Sequence, residues 1–255
     1  MPLFLNPRIT DWQGKRVWLV GASPGIGAAL ARELAGRGAY LALSARDGAR
    51  LAALGIADAL LLSCDVTDAA SLAAAHAELR RHWRGIDLVI YLAGDYRPMR
   101  AADFDPLAAE RMFNVNFVAA TRLAHCVLPD LPAGGGLALV ASVAGYRGLP
   151  KALAYGPGKA ALINFAECLY LDLAPRNIGV WLINPGFVAT RLTAGNDFAM
   201  PALLSPEQAA SATVDGLASG NFEIHYPRRF TRLMKLLACL PYRLYFPLIR
   251  RITGG

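Results

Sequence analysis

Tyr155 and Lys159 stand four residues apart in the run Tyr155-Gly156-Pro157-Gly158-Lys159. On a helix this spacing puts both side chains on one face. An ammonium beside a phenol favours the phenolate and draws a pKa of about 10 toward neutral pH. A tyrosine so placed can give a proton to a carbonyl oxygen that receives hydride, or take one from an alcohol. The pair alone arises by chance in many chains, so its surroundings must decide. Ser142 closes the apolar run Leu137–Ala141, thirteen residues before Tyr155, and its hydroxyl could orient the same carbonyl oxygen. Asn116 lies inside a long helical pattern, where asparagine is a poor choice unless its amide finds a partner. That amide could hold a water or a backbone group near Lys159.

A second constellation comes early. Gly21-Ala22-Ser23-Pro24-Gly25-Ile26-Gly27 separates an apolar run from a helical pattern. Glycines let the backbone approach a pyrophosphate closely, and the following helix offers free N–H groups and a positive dipole end. The plain alternative is a glycine-rich turn, but the place between first strand and first helix suits a dinucleotide. The second strand pattern ends Leu43-Ser44-Ala45-Arg46, with no acid to hold a ribose 2′-hydroxyl. Arg46 suits a 2′-phosphate, which points to NADP(H), with NAD(H) still possible. Asp47 complicates that reading, and Arg46 could also be a solvated residue at a helix start. Asp65, followed by Val66, is suited to the adenine amino group or to a helix cap.

These residues need a frame. The patterns predict strands at Lys15–Val20, Ala39–Ala45, Ala59–Cys64, Ile86–Leu92, Gly136–Ala141, Ile178–Ile183 and Phe222–His225. Helices are predicted at Gly25–Arg37, Asp47–Leu54, Ser71–Arg84, Pro106–Leu128, Ala152–Leu173 and Pro206–Ser219. Continuous apolar strands alternating with helices predict an α/β, Rossmann-like, doubly wound parallel sheet of about seven strands, covered on both faces. Strand C-terminal ends then form the ligand crevice, where Ser142 and the glycine turn both fall.

The chain has 255 residues, 55% hydrophobic and 18% charged, enough for a full core and unlike a disordered segment. Its net charge of +7 is local: Arg228, Arg229, Arg232, Lys235, Arg243, Arg250 and Arg251 carry it, in a stretch with no acid. The other 19 Lys and Arg balance the 19 Asp and Glu, which removes most of the case for nucleic acid. Residues 1–227 are predicted to form one catalytic domain and 228–255 a basic amphipathic appendage. The tail pattern fits two helices broken by Pro241 and Pro247, a design suited to a membrane surface over residues 228–252 or to packing on protein. Cys64, Cys126, Cys168 and Cys239 show no metal-ligand spacing and read as small core residues. With no signal-peptide pattern and no uninterrupted apolar run of spanning length, a cytoplasmic protein, peripheral on a membrane at most, is expected.

Taken together, Gly21-x3-Gly25-x-Gly27, Asp65, Ala93-Gly94, Asn116, Ser142, Tyr155, Lys159 and Pro185-Gly186 followed by Val188 and Thr190 resemble the short-chain dehydrogenase/reductase family over residues 12–227. The resemblance implies an Asn116–Ser142–Tyr155–Lys159 tetrad, with Tyr155 as acid/base and Ser142 orienting the carbonyl. It implies that Lys159 binds the nicotinamide ribose, that Asn116 holds a relay water, and that Thr190 lies near the nicotinamide amide. It also implies a homodimer or homotetramer joined through the helices at Pro106–Leu128 and Ala152–Leu173. The chain departs from the family pattern at Val20, often threonine, at Tyr91-Leu92, usually two asparagines, and at Gly158, often serine. None of these removes a catalytic group.

Substrate walls are expected from Asp95–Met99, Ala144–Pro150 and Arg191–Ser205. These supply Tyr96, Met99, Tyr146, Leu149, Leu192, Phe198, Met200, Leu203 and Leu204, a lining for a lipophilic carbonyl compound unless several serve as loop packing. Arg97, Arg147 and Arg191 could meet an anionic group or be solvated. Three functions compete: an oxidoreductase for a lipophilic ketone, aldehyde or secondary alcohol; a 3-oxoacyl reductase docking an acidic carrier protein; and a non-catalytic cofactor-sensing or membrane-bound scaffold. The full set of Ser142, Tyr155 and Lys159 argues against the last.

Overall fold

The computed structural model describes residues 4–254; Met1–Leu3 and Gly255, assigned above to the body and the appendage, lie outside the described residues. Seven parallel strands form one sheet: β1 Arg16–Val20, β2 Tyr40–Ala45, β3 Leu60–Ser63, β4 Leu88–Tyr91, β5 Gly136–Val140, β6 Gly179–Pro185 and β7 Glu223–Tyr226. Their order is β3-β2-β1-β4-β5-β6-β7. The order reverses direction between β1 and β4, and a crevice opens at the C-terminal ends of strands at such a switch point. Both strands run straight into motif residues there, Gly21 after β1 and Ala93-Gly94 after β4.

The apolar strands feed two cores because successive side chains point to opposite faces. Within β1, Val17 and Leu19 join one core while Trp18 and Val20 join the other. The first core is covered by α1 Ile26–Gly36, short α2 Gly48–Ala52 and α7 Pro206–Ser219. The second is covered by α3 Ala69–His82, α5 Ala119–Val127 and α6 Tyr155–Leu173. Strand and helix types follow the sequence patterns throughout this frame.

Four details differ from the expectations. Pro106–Leu128 is not one α-helix. It divides into α4 Pro106–Phe113, a π-helical turn at Asn114–Val118, and α5. The wider turn falls on Asn116, and π segments of this kind often mark functional sites. The helix predicted from Ala152 begins at Tyr155 instead, because Ala152 is held in a bridge to Met99. Pro241 separates α8 Arg228–Ala238 from α9 Tyr242–Thr253, but Pro247 lies inside α9 without ending it. The residue whose carbonyl Pro247 must leave free is Arg243, exposed on the outside of the helix, where water can satisfy it. Of the four cysteines only Cys64 is buried; Cys168 and Cys239 are exposed, so the core reading fails for those two.

Candidate active site

The helix that starts at Tyr155 places Pro157 in its first turn, where a missing N–H goes unnoticed. Lys159 follows one turn on, and its Nζ stands 5.7 Å from the Tyr155 ring centroid. Lys159 is buried and donates to the carbonyl oxygen of Val140, the last residue of β5, at 2.9 Å. Ser142 lies two residues further on, and its Oγ accepts from the N–H of Ala144 at 3.2 Å, opening a short 3-10 turn at Val143–Gly145. That turn presses on α6 through Gly145, where any Cβ would stand 2.7 Å from Ile163 and 2.8 Å from the Lys159 backbone. Gly145 is thus a positioning residue that the sequence reading missed. Its only signal is a glycine three residues after the serine.

Asn116 is fully buried, and its amide takes the backbone alternative foreseen for it. Nδ2 donates to the Asp95 carbonyl at 2.8 Å, and Oδ1 accepts the Asp95 N–H at 3.2 Å. It therefore pins the loop after β4 beside the crevice. A Cβ on Gly94 would meet the Asn116 Oδ1 at 3.3 Å and the Lys159 Nζ at 3.8 Å, so the chain passes both groups closely here. Tyr91, at a departure from the family pattern, supplies a different support. Its buried hydroxyl donates to the carbonyl oxygen of Val115 at 2.6 Å, inside the π turn and next to Asn116.

Electrostatics modify the expected tuning. Burial raises the Tyr155 phenol to about 12; the Ser142 hydroxyl pulls it down and Tyr96 pushes it further up. Burial also lowers Lys159 to about 7, and the phenol carries no lowering from the lysine of the kind the spacing suggested. At neutral pH Tyr155 is a protonated phenol. The Tyr96 ring meets it edge-on, with centroids 4.9 Å apart, from the loop that Asn116 pins.

The glycine turn suits a dinucleotide on structural grounds. Gly25 is the N-cap of α1, which has no side-chain cap and no acid in its first turn, so its first N–H groups face no carboxylate of that turn. A Cβ on Gly27 would stand 2.4 Å from the Gly21 carbonyl oxygen, so only glycine lets α1 begin this close to the turn. Ile26 is partly buried and Ser23 exposed on the same turn. A Cβ on Gly25 would come within 3.1 Å of the Thr190 methyl, which places the loop after β6 across from this turn. Pro185 and Val188 are buried, and the Gly186 N–H donates to Tyr226 at 2.7 Å, anchoring that loop on β7.

At the adenosine end, Arg46 is exposed and forms no ion pair among the described residues. Asp47, the complication noted above, caps α2 through the Arg50 N–H and pairs with the Arg50 guanidinium at 3.0 Å. Asp65 Oδ1 accepts from the N–H and hydroxyl of Thr67, at 2.9 and 2.7 Å, which holds its carboxyl below the usual range. Asp65 does not cap α3, a task that falls to Asp68, and its second oxygen stays available beside buried Val66.

The expected substrate walls divide. Tyr96 and Leu192 lie beside Tyr155 and Gly94. Met99 and Leu204 are scaffold, bridged to Ala152 and Val188. Tyr146 binds Glu223, Leu149 packs under α8 and α9, and Phe198 meets Phe187. Arg97 pairs with Asp105, and Arg147 reaches the tail rather than the cleft.

The profile of the short chain dehydrogenase family matches residues 15–199. An uncharacterized oxidoreductase of Myxococcus xanthus is 31% identical over 92% of this chain and 96% of its own length. The 11-beta-hydroxysteroid dehydrogenase-like 3 protein of Arabidopsis thaliana is 32% identical over 84% of this chain and 73% of its own. A short chain dehydrogenase from Burkholderia cenocepacia, solved in complex with NADP, superposes with a TM-score of 0.77 at 26% identity, covering 85% of this chain and 97% of that one. With its seven-stranded parallel sheet, its glycine turn and its Tyr155–Lys159 pair, this chain belongs to the short chain dehydrogenase family.

Proposed function

We propose that this protein is an NADP(H)-dependent oxidoreductase that moves hydride between the nicotinamide and a carbonyl or secondary alcohol carbon, with Tyr155 as the acid/base. The observation that carries this reading is the meeting of Tyr155, Ser142 and Lys159 at the strand ends that also hold the glycine turn. The cofactor, when bound, supplies or accepts the hydride. The residues of the chain do the rest. Tyr155, protonated at neutral pH, donates to the carbonyl oxygen as negative charge develops there. Ser142 holds the same oxygen from the end of β5. Lys159, fixed on Val140, is placed for a ribose hydroxyl, and Asn116 holds the Asp95 backbone beside it.

Support for NADP(H) over NAD(H) comes from Arg46, which forms no ion pair among the described residues, from the engagement of Asp47 with Arg50, and from the NADP complex of the Burkholderia relative. Support for a lipophilic substrate comes from the Tyr96 ring on Tyr155, from Leu192 by Gly94, and from the hydroxysteroid dehydrogenase-like name of the Arabidopsis relative. Self-association fits α4 and α6 with the residues leading into them, where Phe104 and Leu107, and Leu153 and Leu171, are exposed. The test is NADPH consumption across a panel of ketones and aldehydes, with NADH in parallel. Turnover of apolar members with NADPH is expected. Cofactor binding with no turnover across the panel would favour the non-catalytic scaffold.

A further inference from the structure

α8 and α9 present a surface that hydride transfer does not use. One side of each helix is committed to the body: Thr231, Leu237, Tyr245 and Ile249 are buried. The loop that follows Ser142 is fastened to that side. Arg147 donates to the carbonyl oxygens of Ala238, at 2.7 Å, and Leu240, and lies 4.4 Å from the ring centroids of both Tyr242 and Tyr245. A cation at the C-terminal end of α8 also meets the negative end of the helix dipole. The Tyr245 hydroxyl donates to Gly148 at 2.7 Å, and Phe230 packs on Phe187, 5.6 Å between centroids, in the loop after β6. The two helices are therefore held in place against two of the three loops that flank the site.

The outward side is apolar and basic at once. Leu236, Tyr242, Leu244, Phe246 and Ile252 are each more than half exposed. With about 100° between successive helical residues, Leu244, Leu248 and Ile252 line one shoulder of the buried Tyr245 and Ile249 stripe in α9. Tyr242 and Phe246 line the other shoulder, and Arg243, Arg250 and Arg251 lie opposite the stripe. Lys235 is paired with Glu223, but the six arginines of this stretch are exposed and form no ion pair among the described residues. No acid occurs from residue 228 onward.

We propose that the outer face of α8 and α9 docks on a membrane surface bearing anionic phospholipid headgroups. The outward arginine heads would meet lipid phosphate while the apolar shoulders beside them lie against the headgroup boundary. Charge selects this occupant over a second copy of the chain, since two such faces together would set arginine against arginine. No helix among the described residues is long and apolar enough to cross a bilayer, so the contact is on the surface. It would bring the Arg147 loop, and with it the mouth of the site, to the place where apolar substrates concentrate.

The test is co-sedimentation of the full chain, loaded with NADPH, with phosphatidylcholine vesicles that contain or lack phosphatidylglycerol. Binding to the anionic vesicles is expected, weakening as salt shortens the screening length. Two variants, Leu244→Ser/Leu248→Ser and Arg250→Gln/Arg251→Gln, are each expected to lower that binding by at least about tenfold, as lost burial and lost charge contacts imply. A third, Leu233→Ser/Leu236→Ser, probes α8 should the α9 variants unfold, with NADPH fluorescence and thermal unfolding as the folding check. Absence of binding to anionic vesicles would overturn the proposal. So would equal binding to neutral vesicles, or a self-associated species that the serine variants dissolve. Sedimentation does not depend on turnover, so its outcome is separate from that of the oxidoreductase reading.

Discussion

Lys159 donates to the Val140 carbonyl oxygen at 2.9 Å from a position so enclosed that its pKa falls to about 7. This ties α6 to the end of β5, between Tyr155 on the helix and Ser142 past the strand. It also makes the lysine a titrating group near neutral pH rather than a fixed cation.

The shift has a consequence for stability. An unfolded lysine titrates near 10.5. Between about pH 7 and 10.5 the unfolded chain holds a proton that the folded chain has lost, so stability from this residue rises with pH across that window. Below it both states are protonated, and burying the charge is fully unfavourable. Urea unfolding of the cofactor-free protein between about pH 7 and 9 should show a slope of up to about 1.4 kcal/mol per pH unit that Lys159→Met lacks. Equal slopes in the two proteins would contradict the assignment.

On the proposed NADP(H) reading, Arg46 meets the 2′-phosphate. A charge-assisted hydrogen bond to the 2′-phosphate is worth about 1.5–3 kcal/mol, so Arg46→Ala should raise the KM for NADPH by roughly 10- to 100-fold. The KM for NADH should hardly move. A matched change for both cofactors would mean that Arg46 does not read the phosphate.

Tyr91 supports the π turn from below. Tyr91→Phe removes the side-chain donor to the Val115 carbonyl, a loss of about 0.5–1.5 kcal/mol in unfolding free energy. Because Asn116 is the next residue, turnover should fall more than the KM for NADPH rises. A variant as stable and as active as the parent would show that water replaces the hydroxyl without effect.

Much of this was legible in the residues. The glycine turn, the strand ends at Arg46 and Ser142, and the pair at Tyr155 and Lys159 all follow from local patterns that the sheet preserves. The π turn at Asn114–Val118 left only an asparagine as its trace, because a helix pattern does not register one widened turn. The start of α6 moved to Tyr155 because the bridge from Met99 to Ala152, between residues far apart in sequence, overrides local helix preference. Tyr91 reads as the loss of an amide until Val115 is seen above its hydroxyl. The proton affinity of Tyr155 went the other way for a similar reason. Spacing places a lysine beside it, but only burial determines how much charge that lysine keeps.

The central claim is that the Tyr155 hydroxyl delivers the proton. The direct measurement is the rate of NADPH-dependent reduction of one accepted carbonyl compound by the parent protein and by Tyr155→Phe, with NADPH binding followed in the same samples. A loss of about 10²–10⁴-fold in kcat with cofactor binding retained is the predicted result. A phenylalanine variant that reduces the compound within a few-fold of the parent rate would contradict it.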